Sequence, residues 1–268
     1  MIGQKNNIQT LLSWRMNKAV PRFIILSGPR GSGRLTLAKL IMKYINAQGI
    51  ILGNSISDVR QAIEYAYTKS EPTCYIFRDA DDMRQEAKNA LLKVVEEPPN
   101  KAYFIMTVHN IDNMLGTIRS RGTVIKMEPY SEEELRSYSD DDYLLDYCSN
   151  IGQMQIDKKE LEKVQNCVFD VLVGLQEKSG TKILKACTQL QNKQTETDKI
   201  DGLLFMRVFE RCLGQTAKEL FTPACLSYIS RCKQEIDRAS INKKASIECM
   251  LINILEEIKN AKISKKMG

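Results

Sequence analysis

Residues 22–36 constrain this chain more than any other stretch: Arg-Phe-Ile-Ile-Leu-Ser runs straight into Gly-Pro-Arg-Gly-Ser-Gly-Arg-Leu-Thr. A short apolar run, a glycine-rich break and a following stripe at Leu37, Leu40 and Ile41 read as a fully buried strand, a tight turn and a helix. That is the unit from which parallel sheets are built. Against the phosphate-cradling pattern Gly-x-x-x-x-Gly-Lys-Ser/Thr, Gly28 and Gly33 stand in place, with Gly31 and Ser32 between them. The lysine position holds Arg34, and the position of the magnesium-binding hydroxyl holds Leu35. A planar guanidinium is a poor substitute for a compact ammonium on the outer phosphates. Leucine offers a hard cation no oxygen at all. Thr36 is no rescue, because one step along a helix turns a side chain by about 100°, and a shifted register would set Leu35 against the cation.

The pattern around this loop continues in kind. Short apolar strands are expected at 73–77, 102–106 and 124–127, alternating with helices at 7–18, 34–46, 57–69 and 84–96. Ser55 or Ser57 can cap the third helix, and Pro98-Pro99 stops the fourth. Strand–helix alternation over residues 1–127 implies an α/β module with a parallel sheet and ligands at the carboxyl ends of its strands. Beyond Pro129 the pattern changes. Ser131-Glu-Glu-Glu134 can form a capping box on a small helix, and the acidic patch 140–142 is expected to separate it from the next. Helical spacing then covers 157–177, 181–192, 202–220 and 243–262, with a polar loop at 193–201 and a frayed tail over the last seven residues, Lys262–Gly268. The stripe Ile247, Leu251, Ile254, Leu255 and Ile258 reads as core before it reads as a partner groove.

Composition excludes several classes. Hydrophobic residues make up 43% and charged residues 27%, an ordinary globular mixture. No apolar run approaches the roughly 18 residues of a membrane span, and the first residues lack a secretory pattern. The eight cysteines include no Cys-x-x-Cys pair, so they read as reduced, mostly buried thiols of a cytoplasmic protein rather than disulfides or a zinc site. A net charge of +6 permits a polyanionic partner without demanding one.

Three stretches narrow the reading further: Asp79-Ala-Asp-Asp-Met, Asn89-Ala-Leu-Leu-Lys-Val-Val-Glu-Glu-Pro-Pro99 and Thr117-Ile-Arg-Ser-Arg-Gly122. Together they resemble the AAA+ subunits of bacterial sliding-clamp loaders, and among these the delta-prime kind. Ile2-Gly3-Gln4, Asn150-Ile-Gly152 and the run 241–251 extend the resemblance, which is dense over 1–128 and thin over 155–235. It implies a P-loop type AAA+ module at 1–127, a small helical lid at 128–156 and an all-α oligomerising collar at 157–268. It also implies partners: gamma/tau-like and delta-like loader subunits, a sliding clamp and primer-template DNA.

Residue roles follow from the same resemblance. Active loader ATPases end their second acidic motif in Asp-Glu, whereas here Cys74-Tyr-Ile-Phe77 is followed by Arg78-Asp79. Arg78 replaces the residue that orients magnesium, and a cation there repels the metal. A site lacking both a hydroxyl at position 35 and this aspartate is expected not to hydrolyse ATP, so no cofactor is expected. The alternative left open is a weakly active ATPase, or nucleotide held on Arg34 and Arg78 without turnover. Ser120-Arg121 matches the family's arginine-finger motif with Gly122 in its cysteine's place, so Arg121 is expected to act on a neighbouring subunit's ATP; the plain reading is a helix-end arginine like Arg119. The four-cysteine zinc module usual in the family is missing between Gly49 and Ile56, so no zinc is expected. The second sensor arginine is absent, and the first sensor falls within 107–110. His109 is expected in a surface or core role, and Arg84 and Lys88 on the polar side of their helix are candidates for DNA phosphates.

Overall fold

The computed structural model describes residues 2–17, 19–191, 199–216, 222–236 and 241–264. They form two compact units, Met1–Gln155 and Ile156–Gly268. Of residues 128–156, read from the sequence as a lid, all but Ile156 lie in the first.

The first unit is built on strands β1 (Phe23–Ser27), β2 (Gln48–Leu52), β3 (Thr73–Phe77), β4 (Ala102–Val108) and β5 (Thr123–Lys126). All pair in parallel, in the order β2-β3-β4-β1-β5. β1 and β3 are buried at every position, as near-continuous apolar strands covered on both faces must be. Their side chains alternate between two cores. Phe23, Ile25, Tyr75, Phe77 and Phe104 pack toward α3 (Ile56–Thr68) and α4 (Gln85–Glu96). Ile24, Leu26, Cys74, Ile76 and Ile105 pack toward α1 (Lys5–Met16) and α2 (Arg34–Tyr44). Tyr75 and Phe104 stack at 5.3 Å between ring centroids, tying β3 to β4.

Local signals set the helix starts. Ser55, not Ser57, caps α3 in a reciprocal box with Asp58. Ser131 does the same with Glu134 for α6 (Glu132–Arg136). Arg84 is the N-cap of α4 rather than its first residue. The acidic patch at 140–142 does not simply separate helices, because Asp142 begins α7 (Asp142–Tyr147), where a carboxylate suits the positive helix end. α5 (Gly116–Arg119) is a single turn leading into β5.

β2 was not expected. It is an edge strand whose backbone pairs with β3 while most of its side chains stay exposed or half-buried, so no apolar run announced it.

The second unit is helical: α8 (Lys158–Gln176), α9 (Gly180–Cys187), α10 (Gly202–Thr216), α11 (Pro223–Ile236) and α12 (Lys243–Ser264). α11 is a further element absent from the sequence reading. Expected residues 217–220 of α10, most of the 193–201 loop and the last four of the tail lie outside the described residues. Ile247, Leu251, Ile254, Leu255 and Ile258 are buried, so the α12 stripe is core. Burial pushes the thiols of Cys74, Cys167, Cys187 and Cys232 up to about 12, leaving them as small apolar fillers. Among the described residues, no helix is long and apolar enough to cross a membrane.

Candidate functional site

Three neighbouring strands, β3, β4 and β1, end at one cleft of about 640 Å³. Carboxyl ends of parallel strands are where such sheets bind ligands. β1 feeds the glycine loop, β3 runs into Arg78 and Asp79, and β4 supplies Thr107. Of the residues singled out from the sequence, Gly31, Gly33, Arg34, Leu35, Thr36, Arg78 and Asp79 line this cleft together. Gly28 and Ser32 do not: Gly28 donates its N–H to the Val108 carbonyl at 3.1 Å, and the Ser32 hydroxyl is buried without a partner.

The loop's shape rests on backbone freedom at two places. Gly31 has φ +83° and Gly33 +90°, a region that side-chain-bearing residues enter at a cost. At Gly31 an added Cβ would also sit 2.3 Å from Asn150 Oδ1. That closeness reports a clasp. Asn150 donates to the Arg30 carbonyl at 3.0 Å, the Gly152 N–H to the Gly31 carbonyl at 3.1 Å, and the Tyr130 hydroxyl to the Ser32 carbonyl at 3.1 Å. Three successive loop carbonyls are thus held from residues 130–152. Nothing local in the sequence signals these contacts, which span 98 and 120 positions for the two side chains.

Charge inside the cleft is arranged around Asp79. Its backbone is left-handed, with φ 49°, and its N–H donates to Thr107 Oγ1 at 3.0 Å. Within the expected 107–110 stretch, Thr107 is the residue that lines the cleft. Arg34, 8% exposed, places Nη2 3.3 Å from Asp79 Oδ1, while its Nη1 is buried with no partner. Burial lowers the Arg34 pKa, and Asp79 and Asp81 oppose that shift; the group remains a cation.

His109 belongs to the same cluster, which the sequence reading missed. Its Nε2 lies 3.2 Å from Arg30 Nε and 3.4 Å from Asp79 Oδ1. One nitrogen cannot accept from the first and donate to the second at once. Burial, with Arg34 and Arg30 nearby, pushes the His109 pKa below its usual value, so the neutral ring accepts from Arg30. Asp81 fixes this corner by accepting the N–H groups of His109 and Asn110 at 2.9 and 3.1 Å.

The remaining candidates lie elsewhere. Arg121 follows α5 and precedes β5, at the amino end of a strand that runs parallel to β1. The cleft is at the opposite ends, so a five-residue strand of about 3.3 Å per residue separates the two. Arg121 Nη2 pairs with Glu96 Oε1 at 2.6 Å and Nη1 donates to the Thr117 carbonyl at 2.7 Å. Arg119 instead pairs with Asp112 at 2.9 Å. Arg84 is exposed. Lys88 is not available to a nucleic acid: it is 7% exposed, and its ammonium donates to the carbonyls of Asp81 and Asn113 at 2.9 and 3.1 Å. Its position in the helix looked polar only because a long stem can carry a charge back to buried carbonyls.

A magnesium ion finds little here. The Leu35 side chain brings no oxygen, and Asp79, the one lining carboxylate among the described residues, is engaged by Arg34.

Residues 46–131 match the family described as DNA polymerase III, delta subunit. The chain is 26% identical over 169 residues to DNA polymerase III subunit gamma of Buchnera aphidicola subsp. Schizaphis graminum, covering 52% of this chain and 47% of that one. It is 38% identical over 66 residues to subunit delta' of Yersinia pestis, covering 24% and 19%. The chain thus spans about half the length of the gamma relative and less of the other. In fold it is similar to a DNA polymerase III gamma subunit-related protein of Thermotoga maritima, with a TM-score of 0.53 at 15% identity over 92% of this chain and 99% of that one. The sequence likenesses are to DNA polymerase III subunits of more than one kind, gamma and delta', and do not single out either.

Proposed function

We propose that this chain is a structural, ATPase-silent subunit of a DNA polymerase III-type clamp loader, in the delta-prime position, helping to place a sliding clamp on primer-template DNA in replication. Its partners would be gamma/tau-like and delta-like subunits, the clamp and the DNA. The observation that carries this reading is the opposite placement of Arg121 and the cleft: across one strand length Arg121 cannot serve its own cleft, and to serve a neighbour's it would exchange Glu96 and the Thr117 carbonyl for that site's phosphates. Leu35 and Arg78, on two sides of the same missing ion, favour silence at the chain's own cleft, since phosphoryl transfer depends on metal and charge positioning.

In the assembled loader, with clamp and primed DNA present, Arg121→Ala should leave assembly intact and slow turnover at the adjoining site by about 10³-fold or more, as loss of an arginine finger does. Unchanged turnover would reject the finger role. A second reading, a slow ATPase, is favoured by one observation: Asp79 still places a carboxylate in the cleft. Phosphate release from Mg-ATP by the isolated chain separates the two.

A further inference from the structure

Among the described residues, the cleft is lined by three arginines, Arg30, Arg34 and Arg78, against one carboxylate, Asp79. Such a surface suits an anion and repels a divalent cation. Two further features point the same way. The first turn of α2 has no side-chain cap, so its leading N–H groups are left for a ligand. Arg34 is more than nine-tenths buried and keeps Nη1 unpartnered while lining the cleft. A buried guanidinium donor without an acceptor is costly, so the Arg34 cation gains from any further anion brought to it.

What occupies the other half of that guanidinium is Asp79, 3.3 Å from Nη2. We propose that the cleft is a magnesium-independent polyphosphate site kept closed by its own counter-anion, Asp79, which a phosphate must displace from Arg34. This rests on reading the cleft as a silent nucleotide site and adds what controls it. Asp79 is well placed to be displaced. Its carboxylate is 30% exposed, whereas its backbone is fixed independently by Thr107, so the side chain can leave Arg34 without unravelling the turn. His109 Nε2, 3.4 Å away, offers it no competing donor while Arg30 occupies that nitrogen. The loop is already formed, because Asn150, Gly152 and Tyr130 hold three of its carbonyls. The cost of binding is therefore concentrated in one ion pair.

The test is titration of the full chain with inorganic pyrophosphate in the presence of a magnesium chelator. Asp79→Ala should bind about ten-fold more tightly than the wild type, the worth of one charge-assisted hydrogen bond no longer broken on binding. Asp79→Asn, which keeps the side chain's shape, should show the same direction if the alanine variant folds poorly. Adding Arg34→Gln to either variant should abolish the gain. Equal affinity in wild type and folded Asp79 variants would overturn the proposal, and so would a gain that survives loss of Arg34. Phosphate release from Mg-ATP by the wild type, measured alongside, would instead reject the silent reading and leave the counter-anion standing.

Discussion

At the scale of single residues, His109 offers the cleanest probe, because it is the only histidine in the chain. Burial and two arginines hold its folded pKa below the ordinary 6.5. The unfolded chain therefore takes up a proton first as pH falls. The stability this neutral ring contributes is complete above about pH 6.5 and is lost as pH drops through the window below it. Thermal melts from pH 7.5 to 5.5 should fall more steeply for the wild type than for His109→Gln; parallel slopes would mean His109 is not held neutral. The neighbouring Lys88 predicts a different loss. Lys88→Met strands the carbonyls of Asp81 and Asn113, at about 1–3 kcal/mol by denaturant titration, with no change in DNA affinity. Neither role was legible locally. Gly28, Gly33 and Arg34 announce themselves by spacing along the chain and Asp79 by the family resemblance, whereas what His109 and Lys88 touch depends on how distant strands end together.

Elements were legible where burial is complete. β1 and β3 are apolar at nearly every position and read directly as strands, while β2 hides because Gln48, Gly49 and Ile51 are exposed at a sheet edge and leave no continuous apolar run. α11 hides for another reason. Its buried stripe is Cys225, Ile229, Cys232 and Ile236, proper helical spacing in which half the positions are thiols. The clasp on the glycine loop is likewise an affair between segments. Asn150 donates to the Arg30 carbonyl and accepts the Gln153 N–H at 3.0 Å, so Asn150→Ala should cost about 1–3 kcal/mol in a chemical denaturation midpoint. The same variant should loosen the loop, seen as faster amide exchange at residues 31–34. Unaltered exchange there would mean the loop needs no clasp.

At the scale of the whole molecule, the two units present different problems to a reader of sequence. The sheet unit carries motifs whose residues, from the glycine loop to Arg78 and Asp79, meet at one cleft. Apart from the run 241–251, the helical unit carries periodicity, enough to place α8, α9, α10 and α12 but not to say what they meet. The parallel sheet has one more consequence. With the cleft at one pole and Arg121 at the other, a two-fold pairing of like faces would bring arginine to arginine and leave both clefts unserved. If Arg121 works as proposed, its assemblies must be polar: each protomer gives from one end and receives at the other, and a protomer that cannot burn nucleotide marks where the row begins or stops.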